Sequence, residues 1–248
     1  MIVIKSSAEL EIMRRAGRMV AQVLQAVSAQ AKPGATTADL DHMAEEMCRA
    51  AGALPAFKGY RGYPYCLCCS LNHEVVHGFP RKEPLRDGDI LSVDFGVLLD
   101  GYYGDSALTV AVGQVSQEAR ALMDATRRSL EAGIEKCRPG NRLGDVSHAI
   151  QQVVEGAGFS VVRQFVGHGI GRGLHEEPQV PNWGEPGRGV KLKPGMVLAI
   201  EPMVNAGGYE VRVLKDGWTA VTVDGKISAH FEHTVAVGED GPRILSLT

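Results

Sequence analysis

The chain has 248 residues, of which 44% are hydrophobic, and its 26 basic and 29 acidic side chains leave a formal net charge of −3. That size allows one large domain or two small ones, while the balanced charge provides no field that would attract nucleic acid or an anionic membrane, so neither is an expected partner. No segment approaches the ~18 apolar residues of a membrane span, and the early acidic residues of MIVIKSSAELE do not resemble a targeting segment, so a cytoplasmic protein is expected.

Two helices are predicted at the start of the chain. The first begins at the capping box SSAE, with Ser6 as its N-cap, and ends before the Pro-Gly pair at 33–34. Apolar residues recur at helical spacing between these limits. The second helix follows the threonine pair at 36–37 and stops at Gly52.

The cysteines come next in the chain. There are five in all, an odd number, and three are crowded at Cys66, Cys68 and Cys69. This pattern does not correspond to a disulfide framework in a protein of this size, so the thiols are expected to be reduced. Because no second cysteine pair follows at zinc-knuckle spacing, we interpret the three as buried strand residues and not as metal ligands.

The pattern of the first two helices recurs later in the chain. KPGATTADLDHMAEEMCRAAGA corresponds to RPGNRLGDVSHAIQQVVEGAGF, with Pro33 matching Pro139, 106 residues further on. The following strands DGDILSVD and PGMVLAIE align Asp94 with Glu201. Two copies do not make a solenoid. The sequence contains no linker or low-complexity run, so we predict one domain over 1–248 with halves at roughly 1–113 and 114–248 that face each other across a pseudo-twofold axis.

Acidic side chains interrupt several apolar segments. Asp94 and Asp105 are predicted at either end of a β-hairpin in DILSVDFGVLLDGYYGDSALTV, while Glu201 lies in MVLAIEPMV and Glu232 in HFEHTVAV. A single acidic residue of this kind is more often a solvated edge charge than a ligand. Charges inside apolar segments are costly unless they are paired or bound to metal. Several such carboxylates in one chain need a common partner, and a divalent cation is the simplest one.

Two histidines lie in the glycine-rich segment GHGIGRGLHEEP, at His168 and His175. The alternating glycines disfavour a helix and favour an extended hairpin that allows close backbone approach. The segment is not the H-E-x-x-H zinc helix of metalloproteases, although Glu176 follows His175. One imidazole among several carboxylates is an oxygen-rich set, which suits Mn, Fe or Co better than a thiolate-rich zinc site.

These residues and their surroundings resemble one family, the type I methionine aminopeptidases with their pita-bread fold. The resemblance runs from KSSAELEIMRRAGRMV through SLNHEVVHGFP, LRDGDILSVDFGVLLDGYYGDSALTVAVG, FVGHGIGRGLHEEPQVPNWG and LKPGMVLAIEPMV to DGWTAVTVDGKISAHFEHTVAV. It implies an α+β fold in which two pseudo-twofold-related helix-helix-strand halves form a curved, mainly antiparallel sheet with helices outside.

The resemblance also implies a site for two divalent metal ions, Mn, Fe or Co with Zn as an alternative, and leaves room for a monovalent cation. Asp105 and Glu232 would bridge both ions. Asp94 would complete one metal site, and His168 with Glu201 would complete the other. A water activated by the ions would attack the first peptide carbonyl of the substrate.

By the same resemblance, Glu201 would relay a proton and the imidazoles of His77 and His175 would contact the scissile peptide. The methionine pocket would be lined by Phe57, Tyr60, Tyr63, Cys68 and Trp218. Two positions depart from the family: Leu174 stands where many members have Phe, and Phe57 occupies a position that is often smaller.

The implied function is removal of initiator methionine from nascent polypeptide N-termini when the second residue is small, with the ribosome as a place of encounter and a monomer as the working form. Two alternatives remain. A proline-cleaving peptidase of the aminopeptidase P or prolidase kind shares the five ligands but usually carries a separate N-terminal domain. A non-catalytic peptide-binding module on the same fold would lose ligands, whereas this sequence has all five and both histidines.

Overall fold

The computed structural model describes residues 2–248, and within this range the chain forms four α-helices and one short 3₁₀ turn. The helices are α1 (Ser7–Gln30), α2 (Thr37–Ala50), α3 (Gln117–Lys136) and α4 (Leu143–Gly156), and the 3₁₀ turn is Tyr60–Gly62. None of the helices found among residues 2–248 is long and apolar enough to cross a membrane.

Both helices predicted from the N-terminal sequence are confirmed. The Ser6 side chain accepts a hydrogen bond from the Glu9 N–H at 3.4 Å, and the Glu9 carboxylate accepts one from the Ser6 N–H at 2.8 Å, which completes the capping box. Thr36 caps α2 by accepting from the Asp39 N–H at 3.1 Å. Each cap satisfies donors that the first helical turn leaves free.

Fifteen strands are found in the described part of the chain, most of them short. They are β1 (Leu54–Pro55), β2 (Leu67–Leu71), β3 (Glu74–Val76), β4 (Ile90–Leu99), β5 (Tyr102–Ala111), β6 (Ser160–Val161), β7 (Gly167–Gly169), β8 (Glu176–Val180), β9 (Val197–Ile200), β10 (Met203–Asn205), β11 (Val211–Val213), β12 (Ala220–Thr222), β13 (Ser228–His230), β14 (Glu232–Val237) and β15 (Pro242–Ile244). Cys68 and Cys69 lie buried in β2, which confirms that they are buried strand residues. Cys66 is buried as well, but it precedes the strand by one residue, so its assignment to a strand is wrong.

The main sheet has the order β1-β4-β5-β14-β9-β7-β8, with β2 also paired to β4 and β15 to β14. All of these pairs are antiparallel. Two three-stranded sheets, β13-β10-β6 and β11-β12-β3, flank it. Strands from the first 111 residues meet strands from the rest of the chain where β5 pairs with β14 in the main sheet and where β3 pairs with β12 in a flanking sheet. The division into halves at 113/114 stays a prediction.

The β4–β5 hairpin is longer than predicted. Asp94 and Asp105 were expected at its two ends, but ladder pairing continues outward to Ile90 opposite Ala111, so both carboxylates lie inside the strands and that expectation is wrong. The outer part contains Ser92 opposite Thr109, whose hydroxyls are 2.8 Å apart. Thr109 also bonds to the His230 backbone, so both buried hydroxyls have partners and the two strands can continue past Asp94 and Asp105.

Alternation along β4 separates the core from the site. Val93, Phe95 and Val97 are fully buried in an apolar cluster that also contains the inner faces of α1 and α2. Asp94 lies between them in sequence, and side chains alternate across a strand, so its carboxylate points to the opposite face of the sheet. A second cluster joins α3 and α4 to β9 and β14. The predicted architecture, a mainly antiparallel sheet with helices packed outside it, is confirmed.

Candidate metal centre

The five predicted metal ligands come together on one face of the main sheet. Asp94 is opposite Ala107 and Asp105 is opposite Gly96, so the two carboxylates are diagonal neighbours across β4 and β5. Glu232 is also opposite Ala107, from the other side, on β14. The sheet thus places three carboxylates from two distant parts of the chain beside each other.

The remaining two ligands come from β7 and the end of β9. His168 on β7 pairs with Ala199 on β9, and Glu201 follows that strand directly. The His168 Nε2 and Glu201 Oε1 atoms are 3.5 Å apart. Ligand atoms of Asp105, His168 and Glu232 all lie within 4.8 Å of one another. At this spacing, one ligand atom from each of the three side chains could coordinate the same cation.

The carboxylates are buried without enough partners of their own. Asp105 is 4% exposed and Glu232 is 2% exposed. Among residues 2–248, no group hydrogen-bonds to Asp94 Oδ1, Asp105 Oδ1 or Glu232 Oε1. Buried oxygens normally have partners, so these three fit a cation that the side chains would coordinate.

The electrostatics of the site lead to the same conclusion. Burial raises the pKa of Asp94 to about 7. Burial, followed by the charges of neighbouring carboxylates, raises the pKa of Asp105, Glu201 and Glu232 well above the ordinary value for a carboxyl group. These groups repel one another when ionised, and a divalent cation would reverse that penalty.

His168 presents the form of imidazole that a metal requires. Burial lowers its pKa to about 3, so the ring is neutral at neutral pH. Its Nδ1 lies 2.9 Å from the Gly169 carbonyl oxygen, which can only accept, so Nδ1 carries the proton. The lone pair is therefore on Nε2, the atom that faces the carboxylates.

A cavity of ≈ 150 Å³ opens over the carboxylates. All twelve residues that the sequence proposed for the site line it. They are Phe57, Tyr60, Tyr63, Cys68, His77, Asp94, Asp105, His168, His175, Glu201, Trp218 and Glu232. Two further lining residues, Arg61 and Leu174, were not assigned a role from the sequence; Leu174 was noted only as a departure from the family.

One wall of the cavity is apolar and well fixed. The Tyr63 ring meets Trp218 edge-on at 5.1 Å between centroids, and its hydroxyl donates to the carbonyl oxygens of Leu67 at 2.9 Å and Gly78 at 3.0 Å. Cys68 is 5% exposed beside them. Burial raises the pKa of the Cys68 thiol well above its ordinary value, so this wall is neutral and suits an uncharged side chain.

Two histidines flank the opening. His77 has a φ of 60°, in the left-handed region that non-glycine residues rarely adopt. Burial lowers its pKa to about 4, so it can donate from a neutral ring. His175 Nδ1 lies 2.8 Å from the Tyr60 hydroxyl, and desolvation followed by the charge of Arg61 lowers its pKa.

Sequence reasoning missed the residues behind the ligands. The Thr234 hydroxyl accepts from the Asp105 N–H at 3.1 Å and donates to the Asp105 carbonyl at 2.7 Å. His230 is 1% exposed, with Nε2 3.7 Å from Glu201 Oε2. Both lie two positions from Glu232 in HFEHTVAV, and alternation along this segment is the signal that could have found them.

Oxygen donors left without protein partners, beneath a cavity with a neutral apolar wall, are the features of a metal-dependent enzyme that binds an uncharged side chain. Residues 11–239 match the model of metallopeptidase family M24. The chain belongs to this family, and within it to the type I methionine aminopeptidases, because of the full-length relatives described next.

The methionine aminopeptidase of Clostridium perfringens is 54% identical over 247 residues, which cover 100% of this chain and 99% of the relative. Methionine aminopeptidase 1 of Bacillus subtilis is 52% identical over 246 residues, covering 99% of each. The crystal structure of methionine aminopeptidase from Thermotoga maritima superposes with a TM-score of 0.99 at 51% identity over 100% of both chains.

A more distant neighbour shares the fold alone. The prolidase from Pyrococcus furiosus superposes with a TM-score of 0.81 at 22% identity, and the match covers 99% of this chain and 66% of that one. The pita-bread fold expected from the sequence is confirmed by these neighbours.

Proposed function

We propose that this enzyme removes the initiator methionine from nascent proteins and peptides when the second residue is small, using two divalent metal ions. The observation that carries the proposal is the group of buried carboxylate oxygens without protein partners beneath a small, apolar-walled cavity. The names of the full-length relatives support the same substrate.

In this proposal the five ligands hold the ions as the family resemblance implies, with Asp105 and Glu232 shared between them. When bound, such ions supply Lewis acidity and a water of lowered pKa. The ligand set of four carboxylates and one neutral imidazole suits Mn, Fe or Co, with Zn as an alternative. The proposal also includes a monovalent cation, to which no residues are assigned.

In this proposal the side chains of the site transfer protons and orient the substrate. Glu201 accepts a proton from the attacking water and passes it to the leaving amine; burial favours its neutral form and thus its service as an acid in the second step. The neutral imidazoles of His77 and His175 donate to the scissile peptide as its carbonyl oxygen gains charge. The cavity wall of Tyr63, Cys68 and Trp218 receives the methionine side chain.

Substrates in this proposal are nascent polypeptide N-termini, met in the cytoplasm at the ribosome by a monomeric enzyme. The near-neutral charge of the chain provides no field that would attract nucleic acid. Specificity for a small second residue would follow from a peptide path past a constricted wall near His77, as the family resemblance implies.

The test is release of free methionine from Met-Ala-Ser, Met-Gly-Ser, Met-Leu-Ser and Met-Lys-Ser by the Mn-, Co- or Fe-loaded protein. The small second residues should give rates at least about tenfold higher, since a wall that excludes extra methylenes discriminates by that order. Asp94→Asn, purified in parallel, controls for host aminopeptidases. Equal rates for Met-Ala-Ser and Met-Lys-Ser would refute the size limit.

Xaa-Pro peptides belong in the same assay. Cleavage of these and not of Met-Ala-Ser would favour the prolidase alternative, whose similarity to this chain is one of fold. Peptide binding without any cleavage would favour the non-catalytic module.

A further inference from the structure

A buried ion pair joins the N-terminal segment to the loop that carries His175. Lys5 Nζ lies 2.7 Å from Glu176 Oε2, and the two side chains are only 3% and 14% exposed. The cost of removing two charges from water offsets most of their attraction, so a pair of this kind contributes little net stability. The position of this ion pair is therefore better explained by the conformation that it imposes on the loop.

The second oxygen of Glu176 organises the loop itself. Glu176 Oε1 accepts a hydrogen bond from the Gly173 N–H at 3.0 Å. A single carboxylate thus closes the turn from 173 to 176 and ties it to Lys5. The two residues enclosed by this turn are Leu174 and His175, both of which line the cavity.

The loop leaves room for the ion pair at Gly171. A Cβ atom built there would lie 2.5 Å from Lys5 Cε and 2.8 Å from Glu176 Oε1. Backbone hydrogen bonds hold both partners in place. The Gly171 carbonyl accepts from the Tyr103 N–H at 2.8 Å, and the Lys5 N–H donates to the Gly195 carbonyl at 2.8 Å. The pair therefore sits between a fixed N-terminal segment and a fixed loop backbone.

We propose that Lys5 and Glu176 are positioning residues for His175. The ion pair fixes the backbone on which His175 stands, while the Tyr60 hydroxyl at 2.8 Å fixes its ring. The N-terminal segment thereby sets the geometry of a group that acts on the substrate. This inference rests on the proposed function, in which His175 donates to the scissile peptide.

The test compares Lys5→Met, Glu176→Gln and Gly171→Ala with the wild type. The first two remove one charge each, and the third displaces the pair without removing either. Each should lower kcat on Met-Ala-Ser by about 10- to 100-fold, as expected for a misplaced catalytic group, with KM nearly unchanged. Lys5→Arg, which retains the charge, should recover most of the rate.

A second measurement does not depend on activity. Hydrogen–deuterium exchange of the amides of 171–176 in the metal-free protein should be faster in the three variants than in the wild type. Leu122→Ala is the matched control, since Leu122 is a fully buried residue of α3 outside the cavity lining. It should lose thermal stability while kcat and exchange at 171–176 stay at wild-type values.

The outcomes separate the two proposals. If Lys5→Met behaves like Leu122→Ala, losing stability but keeping kcat and loop exchange, the inference is overturned. If the wild-type protein releases no methionine, the proposed function fails, and exchange in the variants still decides whether the ion pair orders the loop.

Discussion

The carboxylate of Asp105 has two acidic neighbours in the site, Glu232 and Asp94. Its pKa is raised first by burial and then by the charges of Glu232 and Asp94. A carboxylate in this position relieves repulsion on both sides when cations are present, which supports its proposed role as a shared ligand.

Asp105→Ala is expected to abolish turnover and to weaken metal binding at both sites. Mutating a partner outside the ligand shell typically costs about 10- to 100-fold in metal affinity, and removing a shared ligand should cost more. Calorimetry and methionine release measure the two effects. Asp100→Ala is the control, because Asp100 is an exposed residue in the turn of the same hairpin. Turnover above a few percent of wild type would contradict a shared ligand.

His175 should behave differently from the ligands. It touches Tyr60 and lines the cavity, and it is proposed to act on the transition state and not on the metal. His175→Ala should therefore lower kcat by about 100- to 1000-fold, the usual cost of one oxyanion donor, with the metal stoichiometry unchanged. Metal content by elemental analysis is the check; loss of metal would mean that His175 has been assigned the wrong role.

Helix α1 lies unusually close to two other elements. A Cβ atom on Gly17 would lie 2.3 Å from the Leu245 carbonyl oxygen, and one on Gly104 would lie 2.8 Å from the Gly17 N atom. Gly17 and Gly104 therefore let α1 approach both β5 and the chain after β15. This contact holds α1 against the strand that carries Asp105.

Gly17→Ala should destabilise the protein by about 1–3 kcal/mol, because the added methyl group must push backbone aside. Gly156→Ala at the exposed end of α4 provides the comparison, since a Cβ there meets nothing within 4 Å. That substitution should stabilise the protein by about 0.4–1 kcal/mol, because alanine lowers the conformational entropy of the unfolded chain. Urea unfolding of both variants measures the difference. Equal unfolding midpoints for Gly17→Ala and Gly156→Ala would show that α1 can move to accommodate the methyl group.

The helices and the local hairpins could be predicted because their signals are local. The Ser6 capping box marks the start of α1 within one residue, and the glycine pattern around His168 correctly favours an extended hairpin over a helix. The ends of β4 and β5 could not be predicted, because the burial of Ser92 and Thr109 depends on partners from other strands: their hydroxyls are 2.8 Å apart, and Thr109 also bonds to the backbone of His230. Pattern alone cannot reveal a polar pair that forms across two strands.

The assembly of the site depends on pairings with no local signal. β14 inserts between β5 and β9, and this places Glu232 beside residues more than a hundred positions earlier in the chain. The sequence could propose the ligands through their apolar surroundings and the family resemblance. It did not identify His230 or Thr234, whose importance appears only once β14 is placed against β5 and Glu201.

For the whole molecule, the sheet makes the two proposed metal positions unequal. Beside the shared Asp105 and Glu232, one position gains His168 and Glu201, whereas the other gains only Asp94. The position with the histidine has more protein donors, and its imidazole is neutral with the lone pair on Nε2. Late first-row metals favour such a nitrogen ligand. One ion should therefore bind clearly more tightly than the other.

Chelator should inactivate the protein, and Mn, Co or Fe should restore activity. Calorimetric titration of the stripped protein should then show a tight step followed by a weaker one, and His168→Ala should remove the tight step. The fold should survive this change, because His168 lies on the short strand β7 and its side chain faces the carboxylates and not the helix-side core. Circular dichroism checks the fold, and His42→Ala controls for loss of an imidazole, because His42 is an exposed residue of α2. Two equal binding steps in the wild type, or a tight step that persists in His168→Ala, would show that the ligands are divided between the ions in another way.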